Sequence, residues 1–169
     1  LAGASSGAVR SGAAKFMGAD ALWRAGFTGQ AIRVAVFDTG LGEAHPDFRR
    51  VRERTNWTDE DELGDVLGHG TFVAGVIAGT NGACPGFAPD ADLFTFRVFN
   101  SQQKSFTSWF LDAFNYAIHV RVHVLNLSIG GPDFGDRPFV DKVLELSANN
   151  VLVVSAIGND GGYGTLNNP

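Results

Sequence analysis

Three polar side chains have the types that proton transfer and charge stabilisation require. Asp38 ends an apolar run and opens an Asp-Thr-Gly turn, His69 lies between two glycines, and Asn159 lies in a glycine-lined turn. A carboxylate can orient an imidazole, an imidazole can take and return a proton near neutral pH, and an amide can donate to a developing oxyanion. Each motif alone is also typical of an ordinary turn or helix start. The three together favour a catalytic site.

Apolar runs without polar alternation predict the strands, because such strands are buried on both faces of a sheet. The predicted strands are 32–37, 93–98, 122–128 and 151–156, and the predicted helices are 19–25, 69–78, 107–120 and 138–148. Strands joined through helices predict an α/β fold with a doubly wound, mainly parallel sheet. The composition also predicts two segments without regular structure, which are a charged loop over 38–67 and a flexible lead-in or end of a pro-segment over 1–18.

Two of the helices have residues at the helical period that predict their buried faces. In the helix 107–120 the predicted inward residues are Phe110, Ala113, Phe114, Ala117 and Ile118. In the helix 138–148 they are Val140, Val143, Leu144 and Ser147. We expect both helices to pack against the sheet through these faces.

Polar residues follow the carboxyl ends of three predicted strands. Asp38 ends the first strand, Ser128 ends the third, and Asn159 follows the fourth. Functional groups of doubly wound sheets collect just beyond these strand ends. The predicted topology therefore brings the three residues to one edge of the sheet.

The motifs resemble, in order and approximate spacing, those of the subtilase family: Asp38-Thr39-Gly40, His69-Gly70-Thr71, Ser128-Ile129-Gly130-Gly131 and Gly158-Asn159. The resemblance covers about residues 19–169. It implies a subtilisin-like fold, the N-terminal part of a catalytic domain that is truncated before the helix carrying the nucleophilic Ser.

The same resemblance implies a serine endopeptidase in the full-length protein. It assigns His69 as the general base and acid, Asp38 as the carboxylate that orients it, and Asn159 as the oxyanion-hole donor. It also implies that a peptide substrate binds as an added, extended strand. The implied substrate-binding residues are Ser128, Ile129, Gly130, Gly131, Ala156 and Gly158.

The nucleophile itself is not found in this sequence. The family places its Ser in a Gly-Thr-Ser motif, which does not occur here, and the Gly-x-Ser-x-Gly match at residues 3–7 lacks a preceding strand and a following helix. We therefore expect this chain alone to be inactive. A catalytically inactive, protein-binding subtilase relative is the alternative, and a downstream Gly-Thr-Ser motif would decide between the two.

Three other site types fit single motifs. An aspartic protease also uses Asp-Thr-Gly, but only Asp38 lies in such a motif and the flanking pattern is not all-β. A dinucleotide-binding module is suggested by Gly40-Leu41-Gly42, but His45 replaces the third glycine of that fingerprint. A metal site formed by His45, Asp47 and His69 has no recognised ligand spacing.

The implied reaction needs no cofactor. Many subtilisins carry a structural calcium ion, and Asp47 matches one of its ligand positions. The connection 79–88 looks too short for the calcium-binding loop, so the sequence does not support that site. The single cysteine, Cys84, has no partner for a disulfide within the chain.

The composition bears on partners and location. The 13 Lys and Arg residues against 18 Asp and Glu residues give a net charge of -5, which offers no basic surface for nucleic acid. No apolar run is long enough to span a bilayer. The family resemblance implies protein substrates, a pro-segment as a second partner, and the lumen of the Golgi or endoplasmic reticulum.

Two further expectations concern secretion and specificity. Asn56 lies in an Asn-Trp-Thr sequon in a charged stretch and is a possible glycosylation site, whereas the sequon at Asn126 lies in a predicted buried strand. The resemblance implies substrates with a basic residue before the cleaved bond. Asp133 and Asp136 could attract that residue, although solvated turn carboxylates are the simpler interpretation.

Overall fold

Five parallel strands form the sheet of the computed structural model, which describes residues 12–131, 135–165 and 167. The strands are β1 (Arg33–Asp38), β2 (Val51–Asn56), β3 (Asp92–Arg97), β4 (Val124–Leu127) and β5 (Leu152–Ser155), in the spatial order β2-β3-β1-β4-β5. The helices are α1 (Gly12–Phe16), α2 (Ala19–Arg24), α3 (His69–Ala78), α4 (Thr107–His119) and α5 (Arg137–Ala148). The predicted doubly wound α/β fold is confirmed.

The central strand β1 carries the strongest apolar pattern and is almost completely buried. It pairs in parallel with β3 on one side and with β4 on the other, so that Phe37 is level with Phe96 and with Leu127. A strand with neighbours on both edges and helices on both faces has no solvent side, which is why its sequence lacks polar alternation.

Helices α4 and α5 cover one face of the sheet through an aromatic core. Phe37 stacks on Phe96 with ring centroids 4.4 Å apart, and on Phe114 of α4 with centroids 5.0 Å apart. Phe139 of α5 meets Phe114 edge-on at 5.3 Å. Aromatic rings supply much apolar area per residue, so these contacts fix α4 and α5 against the strands.

Helix α3 covers the opposite face through small residues. Ala74 and Ala78 are buried against Val34 and Val36 of β1. Small side chains let the helix backbone approach the sheet closely. This approach places the N-terminus of α3 beside the carboxyl end of β1.

Three structural predictions are corrected. Residues 51–56, predicted as part of a charged loop, pair with β3 as the edge strand β2; a strand with one neighbour and partly exposed side chains tolerates charges. Residues 12–16, predicted to be part of a flexible lead-in, form α1, in which Ala14 is buried; residues 1–11 lie outside the described residues.

The predicted inward face of α5 is wrong for three of its four residues. Leu144 is 64% exposed and Val140 and Ser147 are exposed as well, whereas Val143 is half-buried and packs against the core. The fully buried residues of the helix are Phe139 and Leu146. Val140 and Leu144 were predicted to face inward because they are apolar. The buried ring of Phe139 contacts Phe110 and Phe114 instead, and this contact sets which face of the helix meets the core. The predicted buried face of α4 holds for Phe110, Ala113, Phe114 and Ala117, with Ile118 half-buried.

None of the described helices combines the length and apolar character that crossing a membrane requires.

Candidate active site

Asp38 and His69 are joined by a direct hydrogen bond at the carboxyl edge of the sheet. The distance between Asp38 Oδ1 and His69 Nδ1 is 2.7 Å. The Asp38 side chain is only 2% exposed, whereas that of His69 is 52% exposed. One end of the imidazole is therefore held by a buried carboxylate while its other end remains open to a ligand.

The backbone around Asp38 makes this carboxylate rigid. Asp38 is the last residue of β1, is level with Arg97 of β3, and accepts a bond from the Val98 N–H on its carbonyl oxygen. Its Oδ1 also accepts the Thr39 N–H at 2.8 Å. Its Oδ2 is buried and accepts no hydrogen bond from the described residues. A buried carboxylate with so few donors is well placed to stabilise a positive imidazolium.

His69 is the first residue of α3, and two glycines shape the backbone around it. Gly68 adopts the left-handed conformation at φ 83° and turns the chain into the helix. Gly70 packs directly on the turn after β1, where an added Cβ would collide with the Gly40 carbonyl oxygen and approach the Asp38 Cβ. Only glycine at 70 allows the helix and the turn to come this close.

Asp65 is a site residue that the sequence analysis missed. Its Oδ1 accepts bonds from Thr39 Oγ1 at 2.7 Å and from the Gly68 N–H at 2.8 Å, and its Oδ2 accepts from Thr71 N at 2.7 Å and Thr71 Oγ1 at 2.6 Å. Burial alone would raise the pKa of Asp65, but these hydrogen bonds outweigh it and hold the pKa below its ordinary value. An acidic residue just before a helix start was the signal that could have indicated it.

A cleft of about 310 Å³ opens beside the Asp38–His69 pair. Its lining residues are Asp38, Thr39, His69, Phe99, Gln103, Ser128, Ile129 and Gly130. Three of the residues predicted to bind substrate thus lie next to the pair. Phe99 and Gln103 were not predicted, because they lie in an irregular loop after β3 that no motif marks.

The remaining predicted site residues follow β4 and β5 at the same edge of the sheet. Gly131 comes directly after the cleft residues, and the Ala156 N–H donates to Leu127 O at 2.9 Å, which extends the pairing of the two strands. Asn159 lies four residues beyond the end of β5 and is exposed. Within the described part of the chain its side chain makes no hydrogen bond, and its role as an oxyanion donor stays a prediction.

Gly130 and Gly158 approach the same residue, Asn167. A Cβ added at Gly130 would lie 2.7 Å from Asn167 Cβ, and one added at Gly158 would lie 2.8 Å from Asn167 Nδ2. The Asn167 N–H donates to Ile157 O at 3.0 Å. Both glycines are therefore needed where three chain segments meet next to the cleft.

The structure gives Asp136 a structural task. Its Oδ1 accepts the Phe139 N–H at the start of α5, and its Oδ2 accepts a bond from Thr107 Oγ1, at the start of α4. Asp136 is thus an N-cap that ties two helices together. Asp133, its predicted partner in attracting a basic substrate residue, lies outside the described residues.

A larger cleft among the described residues does not include this pair. It has a volume of about 580 Å³ and follows the outer face of α3, where Phe72, Val76 and Cys84 are among its lining residues. The lining contains neither Asp38 nor His69. The cleft of about 310 Å³ is the better candidate active site, since it is lined by Asp38 and His69, whose geometry can perform chemistry.

Asp47, which matches a calcium-ligand position of the family, is hydrogen-bonded to the loop after α3. The Asp47 carbonyl oxygen accepts bonds from the N–H and the hydroxyl of Thr80, and Asp47 Oδ2 accepts one from Asn81 Nδ2 at 3.3 Å. These donors use the Asp47 carbonyl oxygen and one of its two carboxylate oxygens, which are the kind of ligand that calcium prefers. A structural calcium ion in the full-length protein stays a prediction. Among the described residues, no group of three or more His, Cys, Asp or Glu side chains could hold a metal ion, so the alternative with His45 and His69 gains no support.

Asn56 ends β2, and its side chain takes part in a local turn. Its Nδ2 donates to the Glu60 carbonyl oxygen, and its Oδ1 accepts bonds from Thr58. Glycosylation at this position stays a prediction. Cys84 is an exposed free cysteine in the loop after α3.

Comparison with known proteins decides the family. Residues 29–169 match the Subtilase family. The chain belongs to the subtilase family. Both the resemblance drawn from the motifs and the subtilisin-like α/β fold are thereby confirmed.

Two named proteases from different organisms share more than half of their matched residues with this subtilase chain. It is 69% identical over 157 residues to the membrane-bound transcription factor site-1 protease of Homo sapiens, with 92% of this chain and 15% of that protein covered. It is 64% identical over 153 residues to the subtilisin-like protease SBT6.1 of Arabidopsis thaliana, with 90% of this chain and 15% of that protein covered.

A bacterial relative is more distant. The major intracellular serine protease of Bacillus subtilis is 38% identical over 157 residues, with 87% of this chain and 49% of that protein covered. The subtilase chain thus spans about 15% of the length of the human and plant relatives and about half of the bacterial one.

Proposed function

We propose that this chain supplies the general base and the oxyanion donor of a serine endopeptidase whose nucleophilic Ser lies elsewhere in the full-length protein. The observation that carries the proposal is the 2.7 Å hydrogen bond between the buried Asp38 carboxylate and Nδ1 of the half-exposed His69. Membership of the subtilase family, whose relatives here are named proteases, supports the same reaction.

Each ring nitrogen of His69 has one task in the proposed reaction. With Nδ1–H donated to Asp38, the neutral imidazole carries its lone pair on Nε2. Nε2 takes the proton of the Ser hydroxyl as that oxygen bonds to the substrate carbonyl carbon. His69 then returns the proton to the leaving amine as the peptide bond breaks, and a water molecule repeats the sequence on the acyl enzyme. No step requires a cofactor.

We infer that an extended peptide binds in the cleft beside the pair. Ser128, Ile129 and Gly130 present the backbone just after β4 along one side of it. A peptide lying there as an added strand would place its carbonyl between His69 and the turn that carries Asn159. Asn159 would donate its side-chain amide to the oxyanion that develops on this carbonyl.

The proposed substrates are precursor proteins of the secretory pathway or of membranes. Cleavage would occur in extended loops that carry a basic residue a few positions before the cleaved bond. The proposed location is the lumen of the secretory pathway, with a pro-segment as a second partner and Asn56 glycosylated. Support comes from the high identity to a relative named membrane-bound transcription factor site-1 protease.

The test is hydrolysis of a fluorogenic peptide by the full-length protein and its variants. We expect Asp38→Asn and His69→Ala to reduce kcat by about 10⁴-fold or more. The first variant removes the carboxylate that orients the imidazole, and the second removes the imidazole itself. His119→Ala, which removes an exposed histidine of α4, is the matched control and should leave kcat unchanged. Undiminished hydrolysis by His69→Ala would disprove the proposal.

A further inference from the structure

The Asp38–His69 hydrogen bond requires that two segments of the chain keep the same position relative to each other. Asp38 belongs to the end of β1 and its following turn, whereas His69 belongs to the first turn of α3. Neither segment pairs with the other as part of the sheet. The packing of α3 on β1 brings the two segments together, and the side-chain and backbone contacts between the turn and the helix start then set their local positions.

We propose that Asp65 is a positioning residue of this active site: its carboxylate clamps the turn that carries Asp38 to the helix start that carries His69. This inference rests on the proposed peptidase function and adds a residue to it. Asp65 is not among the residues that line the cleft beside the pair, so it acts through other groups.

Thr39 forms the first half of the clamp. Its backbone N–H donates to Asp38 Oδ1 at 2.8 Å, and its hydroxyl donates to Asp65 Oδ1 at 2.7 Å. The same hydroxyl oxygen accepts the Gly70 N–H at 2.9 Å. A hydroxyl has one proton, so its donation to Asp65 leaves the oxygen free to accept from the residue that follows His69.

The start of α3 forms the second half. Asp65 accepts the Gly68 N–H through Oδ1, and the N–H and hydroxyl of Thr71 through Oδ2. The Thr71 hydroxyl oxygen in turn accepts the Gly42 N–H at 2.8 Å, which gives a second connection back to the turn after β1. The Asp65 carboxylate thus accepts from backbone groups on both sides of His69 and from the hydroxyls of Thr39 and Thr71.

The predicted consequence is a defect in catalysis and not in binding. Displacing a catalytic group by about 1 Å can reduce a rate by about a hundredfold. Loss of the clamp displaces His69 relative to Asp38, but it leaves the cleft residues Ser128, Ile129 and Gly130 unchanged. We therefore expect kcat to fall while KM is kept.

The experiment compares Asp65→Asn with Asp61→Asn in the full-length protein, using the fluorogenic peptide. Asparagine has the size of Asp65, but its NH₂ group faces N–H and hydroxyl donors and cannot accept from them. Asp61 is an exposed carboxylate of the same loop and serves as the control. We expect Asp65→Asn to lower kcat by about ten- to a hundredfold, with KM changed less than twofold, and Asp61→Asn to change neither. Rates are expressed per folded molecule, measured by circular dichroism.

Thr39 variants separate positioning from charge, because they leave Asp65 ionised. We expect Thr39→Val to lower kcat as Asp65→Asn does, and Thr39→Ser, which restores the hydroxyl, to recover most of the loss. Combined with Asp65→Asn, Thr39→Val should add little further loss, since both break the same link. Fully multiplicative losses would contradict a shared link and overturn the proposal.

Two outcomes of the Asp65→Asn measurement would overturn the proposal. One is an unchanged kcat per folded molecule, even with a lower melting temperature, because Asp65 would then only stabilise the fold. The other is a raised KM at constant kcat, which would make it a binding residue.

Hydrogen–deuterium exchange of residues 38–42 and 68–72 gives a readout that does not need activity. Faster exchange of both segments in Asp65→Asn alone supports the clamp, and unchanged exchange refutes it, even if the wild-type protein proves not to be a peptidase.

Discussion

At the scale of single residues, the site depends on how far each polar side chain is buried or exposed to solvent. Asp38 is buried at a strand end with one carboxylate oxygen occupied by His69 and Thr39, so its negative charge is directed at the imidazole. His69 is half-exposed and can meet a substrate. The end of an apolar strand predicted that Asp38 lies at the edge of the sheet. The pairing of Asp38 with His69, which begins a helix, was implied by the resemblance to subtilases.

Asn159 is the residue whose proposed role has the most specific kinetic consequence. An oxyanion donor acts on the transition state, so we expect Asn159→Ala to lower kcat by about 10²- to 10³-fold with little change in KM. The measurement is steady-state hydrolysis of the fluorogenic peptide by the full-length protein. Asn115→Ala, on the exposed side of α4, is the control. Equal kcat values for Asn159→Ala and the wild type would remove Asn159 from the mechanism.

At the scale of elements, the bounds of α3 could be predicted from the sequence, but the contacts that hold its N-terminus could not. Its bounds, 69–78, were predicted correctly from its small and branched residues. The network of Asp65, Thr39 and Thr71 was not predicted, because these side chains meet only when a loop and a turn fold over the helix start. Local patterns carry no information on such contacts between distant segments.

Two glycines of α3 make a matched pair for testing its approach to the sheet. A Cβ at Gly70 would collide with Gly40 O, whereas a Cβ at Gly75 would meet nothing within 4 Å. We expect Gly75→Ala to stabilise the protein by up to about 1 kcal/mol, since alanine has the higher helix propensity. Gly70→Ala should lower the melting temperature and abolish hydrolysis. Thermal unfolding checks both, and equal melting temperatures for the two variants would contradict the packing described here.

At the scale of the whole molecule, the two faces of the sheet have different tasks. Aromatic contacts between Phe37, Phe114 and Phe139 fix α4 and α5 on one face, and small residues bring α3 close on the other. The alternation of strands and helices predicted this arrangement. It did not predict β2, because a charged edge strand has the composition of a loop, nor the rotation of α5, which depends on the partner surface of Phe139.

The central claim is that Asp38 and His69 activate a serine that lies elsewhere in the full-length protein. Its most direct test is reaction with a fluorophosphonate, followed by mass spectrometry to locate the adduct. We predict one labelled Ser in the wild type, and labelling slowed by orders of magnitude in His69→Ala, because the hydroxyl needs the imidazole to accept its proton. A wild-type protein that forms no Ser adduct, or a His69→Ala variant labelled at the wild-type rate, would contradict the account.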